Sequence, residues 1–265
     1  MYSTLQLAGK YISYYRRALN RKGHGVHSPF VFDFIRNVLN NGAGYAQPSD
    51  VEEIRYKMLR DETLIDVLDL GAGSRTDASA RRQVSQIART ALKPEKYASV
   101  LYRLVCHYQP QTIIEFGTSL GITTAYMATA QPAAQVITVE GSPSIARLAG
   151  KNFEALGLKN VRQVAGDFDQ VLPGLLSELR TVDVAYIDGN HRYEPTMRYF
   201  HQLLDKRTDG SVLVFDDIHW SREMERAWND IRQHPEVRYT VDIFALGFVF
   251  FRNEFRIKQN FMVRF

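Results

Sequence analysis

Six carboxylates stand where short apolar runs end: Glu115, Glu140, Asp167, Asp188 and the pair Asp216-Asp217. In a parallel sheet, groups at the C-terminal ends of strands face the crevice where ligands bind. The first acid opens the run Glu115-Phe116-Gly117-Thr118-Ser119-Leu120-Gly121. Gly117 and Gly121 leave room for a ligand to approach the backbone, and a helix opening at Ile122 would aim its N–H groups at that ligand. Glu140 follows Glu115 by 25 residues, close to the spacing at which nucleotide-binding sheets place an acceptor for ribose hydroxyls. Asp167 can accept from an exocyclic adenine amine, or cap a helix beginning at Phe168.

A second glycine turn, Val67-Leu68-Asp69-Leu70-Gly71-Ala72-Gly73-Ser74, is locally more like a nucleotide loop. Its surroundings argue against that role. Ser74-Arg75-Thr76-Asp77 and a basic segment follow, whereas a cofactor loop needs a second apolar strand ending in an acid about 20 residues on. We expect a turn packed near the active site, with the cofactor at Gly117–Gly121.

From about residue 111 the pattern alternates between β-branched runs and amphipathic segments, which predicts a parallel sheet flanked by helices. Strands are expected at Thr112–Phe116, Gln135–Glu140, Val161–Ala165, Val182–Ile187 and Ser211–Phe215. Helices are expected at Ile122–Ala130, Pro143–Leu156, Phe168–Leu179, Glu194–Leu204 and Ser221–Gln233. Arg238–Phe244 and Phe248–Arg252 alternate too fast for a helix and read as an antiparallel pair around Ala245-Leu246-Gly247. The helical spacing of Tyr11-Ile12-Tyr14-Tyr15-Leu19, Val31-Phe34-Ile35-Val38-Leu39 and Ile54-Met58 predicts a helical extension over residues 1–93, and Leu101-Leu104-Val105 a helix that leads into a core over 94–265. The Tyr-rich first helix precedes Arg16, Arg17, Arg21 and Lys22, a pattern that suits a membrane surface. Packing on its own protein or on a second copy in a homodimer is the simpler reading of such a stripe.

With 265 residues, 45% apolar and 23% charged, the chain can fill one large core, and disorder is excluded. No stretch approaches a membrane span, and the first residues carry no signal-type apolar run, so a cytoplasmic location is expected. The lone Cys106 excludes an intrachain disulfide and a cysteine-based zinc cluster, and its setting in LYRLVCHY predicts a buried helix position. The net charge of +4 comes from scattered basic residues. Such scatter fits a solvated face, or attraction for an anionic small molecule, better than a nucleic acid.

At these motifs the chain resembles the class I S-adenosylmethionine-dependent methyltransferases, and more closely the metal-dependent O-methyltransferases of the catechol and caffeoyl-CoA type and their antibiotic-sugar relatives. The resemblance covers about residues 94–252. It implies a Rossmann-like, seven-stranded, mostly parallel α/β sheet with a closing antiparallel hairpin. EFGTSLGITT resembles the family's first motif, which implies Glu115, Gly117, Thr118, Ser119 and Gly121 around the methionine part of the cofactor. VEGSP implies Glu140 and Gly141 at the ribose, and AGDF implies Asp167 and Phe168 beside the adenine. YIDGNHRYE and VFDDIHW resemble the metal-binding turns, which implies Asp188, Asp216 and Asp217 as carboxylates for Mg²⁺ or a related divalent ion, with Asp188 also touching the cofactor. Catechol-type members carry an amide where this chain has Asp217, and the acidic pair is closer to the sugar-modifying relatives. His191 occupies the place of the catalytic lysine of catechol-type relatives and is the candidate general base, with His219 as a second candidate. Tyr193, Trp220 and Phe248 are candidates for the pocket wall.

The implied reaction is methyl transfer to a hydroxyl of a small molecule. One alternative is a nucleic-acid methyltransferase; against it, the fourth predicted strand ends in Ile187-Asp188-Gly189-Asn190-His191 rather than an Asn/Asp-Pro-Pro-aromatic turn. Another is a cofactor-binding module without chemistry.

Overall fold

The β-branched runs of the second half become strands at the expected places. The computed structural model describes residues 1–68 and 79–265. Their contacts group them into two units, Met1–Gly44 with Leu179–Phe265, and Tyr45–Glu178.

The first unit begins with α1 (Thr4–Arg17), whose start is fixed by a reciprocal capping box between Ser3 and Gln6. Next comes α2 (Pro29–Phe34), where Pro29 occupies the first turn and Ser28 caps it. A π-helical turn (Ile35–Leu39) continues it, closed by the bond from the Asn40 N–H to the Ile35 carbonyl.

The Tyr45–Glu178 unit opens with α3 (Ser49–Met58), then β1 (Leu64–Leu68) and β2 (Ser79–Gln83), α4 (Val84–Ala91) and α5 (Glu95–Tyr108). β1 and β2 pair antiparallel in a separate two-stranded sheet. This hairpin was not expected, because Ser-Ala-Arg-Arg-Gln has none of the β-branched or aromatic residues that mark strands. Most of the rejected glycine turn, Asp69 to Ser74, lies outside the described residues. The described strands on either side of it pair antiparallel.

β3 (Thr112–Phe116), α6 (Ile122–Ala130), β4 (Gln135–Glu140), α7 (Pro143–Ala155), β5 (Val161–Ala165) and α8 (Phe168–Glu178) complete this unit. β3, β4 and β5 run parallel. Residues Ile122 to Ala128 of α6 are all buried. Ile122, Ala125 and Tyr126 pack with Val51 and Ile54 of α3, Ile87 and Ala88 of α4 and Ala98 of α5. Cys106 lies on α5 as expected, though half-buried rather than buried; its thiol faces the Ala130 carbonyl and burial raises its pKa, so it is not an activated nucleophile.

The chain then returns to the first unit with β6 (Val182–Ile187), α9 (Tyr193–Leu204), β7 (Arg207–Asp216) and α10 (Arg222–Gln233). β8 (Tyr239–Asp242), β9 (Leu246–Phe250) and β10 (Gln259–Met262) follow. β6 and β7 are parallel, β9 lies antiparallel to both β7 and β8, and β10 runs parallel to β8. The closing hairpin is therefore present, turning at Ile243–Ala245. The sheet has eight strands rather than the expected seven, five from this unit in the order β10-β8-β9-β7-β6 and three from the other in the order β3-β4-β5. The eighth is β10, whose Gln-Asn-Phe-Met sequence does not alternate. Beyond it Val263 bridges Leu19, the residue that follows the cap of α1. Among the described residues no helix is long and apolar enough to cross a membrane.

Candidate active site

The turn after β3 is held from below by a buried carboxylate. Glu115 is fully buried, and its Oε2 accepts from the hydroxyls of Thr124 on α6 and Thr138 on β4. Thr138 spends its one proton there, so Thr118 must be the donor in the 2.6 Å contact between the two threonines. Glu115 thus joins β3, β4 and the first turn of α6, which is the position of a group that shapes the turn. Neither threonine stands out by type or spacing along the chain, although Thr138 shares a cross-strand position with Glu115.

The turn itself passes through left-handed backbone at Gly117 (φ 97°), Ser119 (φ 48°) and Gly121 (φ 81°). Only Ser119 carries a side chain there, and its N–H donates to Glu140 Oε2 at 2.8 Å. The other oxygen of Glu140 accepts from the Ser142 N–H at 2.9 Å. A carboxylate oxygen can accept more than one hydrogen bond, so these two bonds do not bar the half-buried carboxylate from a ligand hydroxyl. Gly121 has two reasons to be glycine: its φ, and the Phe153 ring of α7, which would lie 2.6 Å from an added Cβ. Asp167 caps α8, its Oδ1 accepting from the Asp169 N–H at 2.8 Å, so the capping reading is realised. Beside it the Phe168 ring meets Phe116 edge-on at 5.9 Å.

The other expected residues come together in the first unit. Asp188 follows β6, and Asp216 ends β7, where it is buried. The Tyr186 hydroxyl lies 3.0 Å from Asp188 Oδ2 and 3.1 Å from Asp216 Oδ2, one proton between two carboxylates. Tyr186 is two residues before Asp188 and therefore on the same strand face, a signal the sequence did offer. Asp217 is left-handed (φ 51°), its N–H donating to Asp216 Oδ1 at 2.9 Å and to the Ala245 carbonyl at 2.8 Å. Asn190 and His191 are left-handed too, at φ 64° and 29°. Such backbone in non-glycine residues clusters at ligand sites.

His191 Nε2 is 3.3 Å from Asp188 Oδ1, and its ring lies 5.6 Å from that of Trp220. Burial works against its charge, but the hydrogen bond and charge of Asp188, with Asp217 and Asp216 behind, outweigh it and push the pKa up to about 9. With the carboxylates bare, the imidazole is a cation near neutral pH and must lose a proton before it can act as a base.

His219 is not available as a base, because both of its nitrogens face carboxylates: Nδ1 lies 3.2 Å from Glu225 and Nε2 2.9 Å from Asp242. Tyr193 is half-buried and bonds to Asp230 of α10, whereas Phe248 is fully buried against Phe34 and lines no open wall. Among the described residues, no group of three or more His, Cys, Asp or Glu side chains is arranged to hold a metal ion.

The stretch from β3 through the Asp216-Asp217 pair coincides with a family model described as a methyltransferase domain, which matches residues 114–218. Residues 114–218 thus match a methyltransferase domain. The domain is similar to the catechol O-methyltransferase of Niastella koreensis, 33% identical over 113 residues that cover 42% of this chain and 50% of the relative. It is also similar to that of Bos taurus, 28% identical over 129 residues, 47% of each chain. The chain spans about half the length of the curated relatives it matches. In fold it is similar to an O-methyltransferase from Bacillus cereus solved with S-adenosylhomocysteine, with TM-score 0.58, 18% identity, and coverage of 83% of this chain and 97% of that one.

Proposed function

We propose that the protein is an O-methyltransferase that uses S-adenosylmethionine to methylate a hydroxyl of a small molecule, assisted by a divalent cation such as Mg²⁺. The observation that carries this reading is the meeting of Asp188 and Asp216 on the single hydroxyl of Tyr186, with Asp217 and His191 beside them.

The donor set fits a hard cation. Mg²⁺ keeps several waters and takes one or two carboxylates plus substrate oxygens, so a closed protein cage is not required. Asp188 and Asp216, drawn together on the Tyr186 hydroxyl, would supply two carboxylates, with Asp217 next in the chain as the third candidate. Once bound, the cation would supply positive charge that favours the deprotonated form of an acceptor hydroxyl, whose phenolic pKa is otherwise about 10. Neutralising the carboxylates would also remove what keeps His191 protonated, leaving Nε2 able to take the acceptor's proton.

On the cofactor side, the backbone of Gly117–Gly121 would flank the methionine part, Glu140 and Gly141 the ribose, and Asp167 and Phe168 the adenine. Glu115 holds the turn in shape from beneath, and Asp188 would touch cofactor as well as cation. S-adenosylmethionine would supply the methyl group from its sulfonium; these residues orient it and exclude water. Residues 1–93 would help to select the acceptor.

Calorimetry with S-adenosylmethionine tests the cofactor, and protein that binds none refutes the proposal. Methyl transfer to a catechol, followed with and without chelator in wild type and Asp188→Ala, tests the cation. Transfer that survives both treatments would make the three carboxylates structural.

A further inference from the structure

We infer that α1 is a strap that positions the loop Asp217–Trp220, through Tyr2, Lys10, Glu225 and His219. The inference rests on the reading of Asp216 and Asp217 as cation ligands, because this loop sets where Asp217 lies.

The loop is fastened at both ends. At its start, the Asp217 N–H is bonded to the Ala245 carbonyl in the β8–β9 turn at 2.8 Å. At its end, the Trp220 carbonyl accepts from the Tyr2 N–H at 3.2 Å, and the Trp220 N–H closes the loop onto the Asp217 carbonyl at 2.9 Å. Between them the His219 ring is gripped edge and face. Asp242 and Glu225 hold its two nitrogens, and Phe244 stacks on it at 5.1 Å. Phe244 in turn meets Tyr11 of α1 at 5.1 Å and Tyr14 at 5.2 Å.

Glu225 is the knot. Lys10 Nζ reaches both of its oxygens, at 2.9 and 2.8 Å, the Tyr2 hydroxyl donates to Oε2 at 2.7 Å, and His219 faces Oε1. An ordinary surface ion pair contributes little to stability and marks nothing in particular. Here one carboxylate gathers three partners, two from the chain's first ten residues and one from inside the loop. Asp242, at the far side of His219, is itself fixed by the Trp228 indole N–H at 3.2 Å and the Phe244 N–H at 2.8 Å.

The backbone gives this fastening a purpose. Asp217 is left-handed at φ 51°, a conformation that is unfavourable for a non-glycine residue and persists only where the surroundings over-determine it. Tyr2, Lys10, Glu225, His219 and Phe244 are those surroundings. They reach a ligand through the loop and are positioning residues.

The test uses Mn²⁺ as a spectroscopic probe of the cation site and S-adenosylhomocysteine as a probe of the cofactor site, on the full chain. His219→Ala and Glu225→Gln should each weaken Mn²⁺ binding by about tenfold, the range for groups that orient metal ligands. Lys10→Met should weaken it less, Lys10→Arg should restore it, and S-adenosylhomocysteine affinity should stay at the wild-type value. Wild-type Mn²⁺ affinity in His219→Ala and Glu225→Gln would overturn the strap while leaving the cation reading intact. A parallel loss of Mn²⁺ and S-adenosylhomocysteine binding would mean general destabilisation, and would overturn it too. Wild-type protein that binds S-adenosylhomocysteine but no Mn²⁺ would refute the cation reading itself, and the strap with it.

Discussion

One added methyl group at Gly121 tests the cofactor turn directly. Gly121 stands at φ 81°, just before α6, and a Cβ there would lie 2.6 Å from Phe153 Cε1, 2.7 Å from Cζ and 3.2 Å from the Ala149 Cβ. Left-handed backbone costs an alanine about 1–2 kcal/mol. Forcing a carbon into a packed core costs about 1–3 kcal/mol more. The Phe153 ring is itself buried, at 6% exposure, and cannot swing aside without losing that burial. Gly121→Ala should therefore destabilise by roughly 2–5 kcal/mol, read as a lower urea midpoint with an unchanged slope. Calorimetry should show weaker S-adenosylhomocysteine binding, because the first turn of α6 is displaced. Phe153→Leu removes the far end of the ring, so it should cost less in the presence of Gly121→Ala than alone. The coupling expected for residues in contact is about 0.5–3 kcal/mol. Additive effects, or a loss below about 1 kcal/mol for Gly121→Ala, would refute the claim that close packing of α6 on α7 dictates this glycine.

Glu140→Ala removes the acceptor for the Ser119 and Ser142 N–H groups. At about 1.5–3 kcal/mol for each hydrogen bond to a charged group, S-adenosylhomocysteine affinity should fall at least tenfold, with Glu140→Gln intermediate; unchanged calorimetric affinity would remove Glu140 from the site. Tyr186→Phe takes the shared hydroxyl from Asp188 and Asp216 and should destabilise the cation-free protein by about 1.5–3 kcal/mol in urea. An unchanged midpoint would mean that the hydroxyl does not hold the two carboxylates. The pKa of His191, raised to about 9 from an ordinary 6.5, makes a pH prediction. The stabilisation belongs to the protonated form, so it is fully present below about pH 6.5 and is lost as pH rises through about 9. At about 1.36 kcal/mol per pH unit the rise is worth about 3 kcal/mol at most. His191→Gln should flatten the fall in urea stability over that window, and an NMR titration of cation-free protein placing His191 near 6.5 would contradict it.

The strands Thr112–Phe116, Gln135–Glu140, Val161–Ala165 and Val182–Ile187 were legible to the residue. Their β-branched runs are bounded by glycine, proline or acid, and buried parallel strands leave that mark most clearly. β2 and β10 were not legible. Ser-Ala-Arg-Arg-Gln is a strand because β1 lies beside it, an arrangement that includes an ion pair from Arg81 to Asp66, and Gln-Asn-Phe-Met because β8 does. Of the candidate site, the acids were visible as strand ends, but their partners were not. Glu115 reads as a ligand group until Thr124 and Thr138 are seen to claim it. His219 reads as a base until Glu225 and Asp242 occupy both nitrogens. The pairing of Lys10 with Glu225 spans 215 residues of chain and has no sequence signature.

The bridge between Leu19 and Val263 also sets an order of events during synthesis. The Tyr45–Glu178 unit is continuous in sequence. The other unit is assembled from both flanks, and domains fold as units as the chain emerges. Helix α1, first to leave the ribosome, must wait for α10, the β8–β9 turn and β10 before Glu225, Phe244 and Val263 exist to receive it. A nascent chain arrested before α10 has emerged should therefore hold α1 undocked, and the acidic strand ends would be completed last.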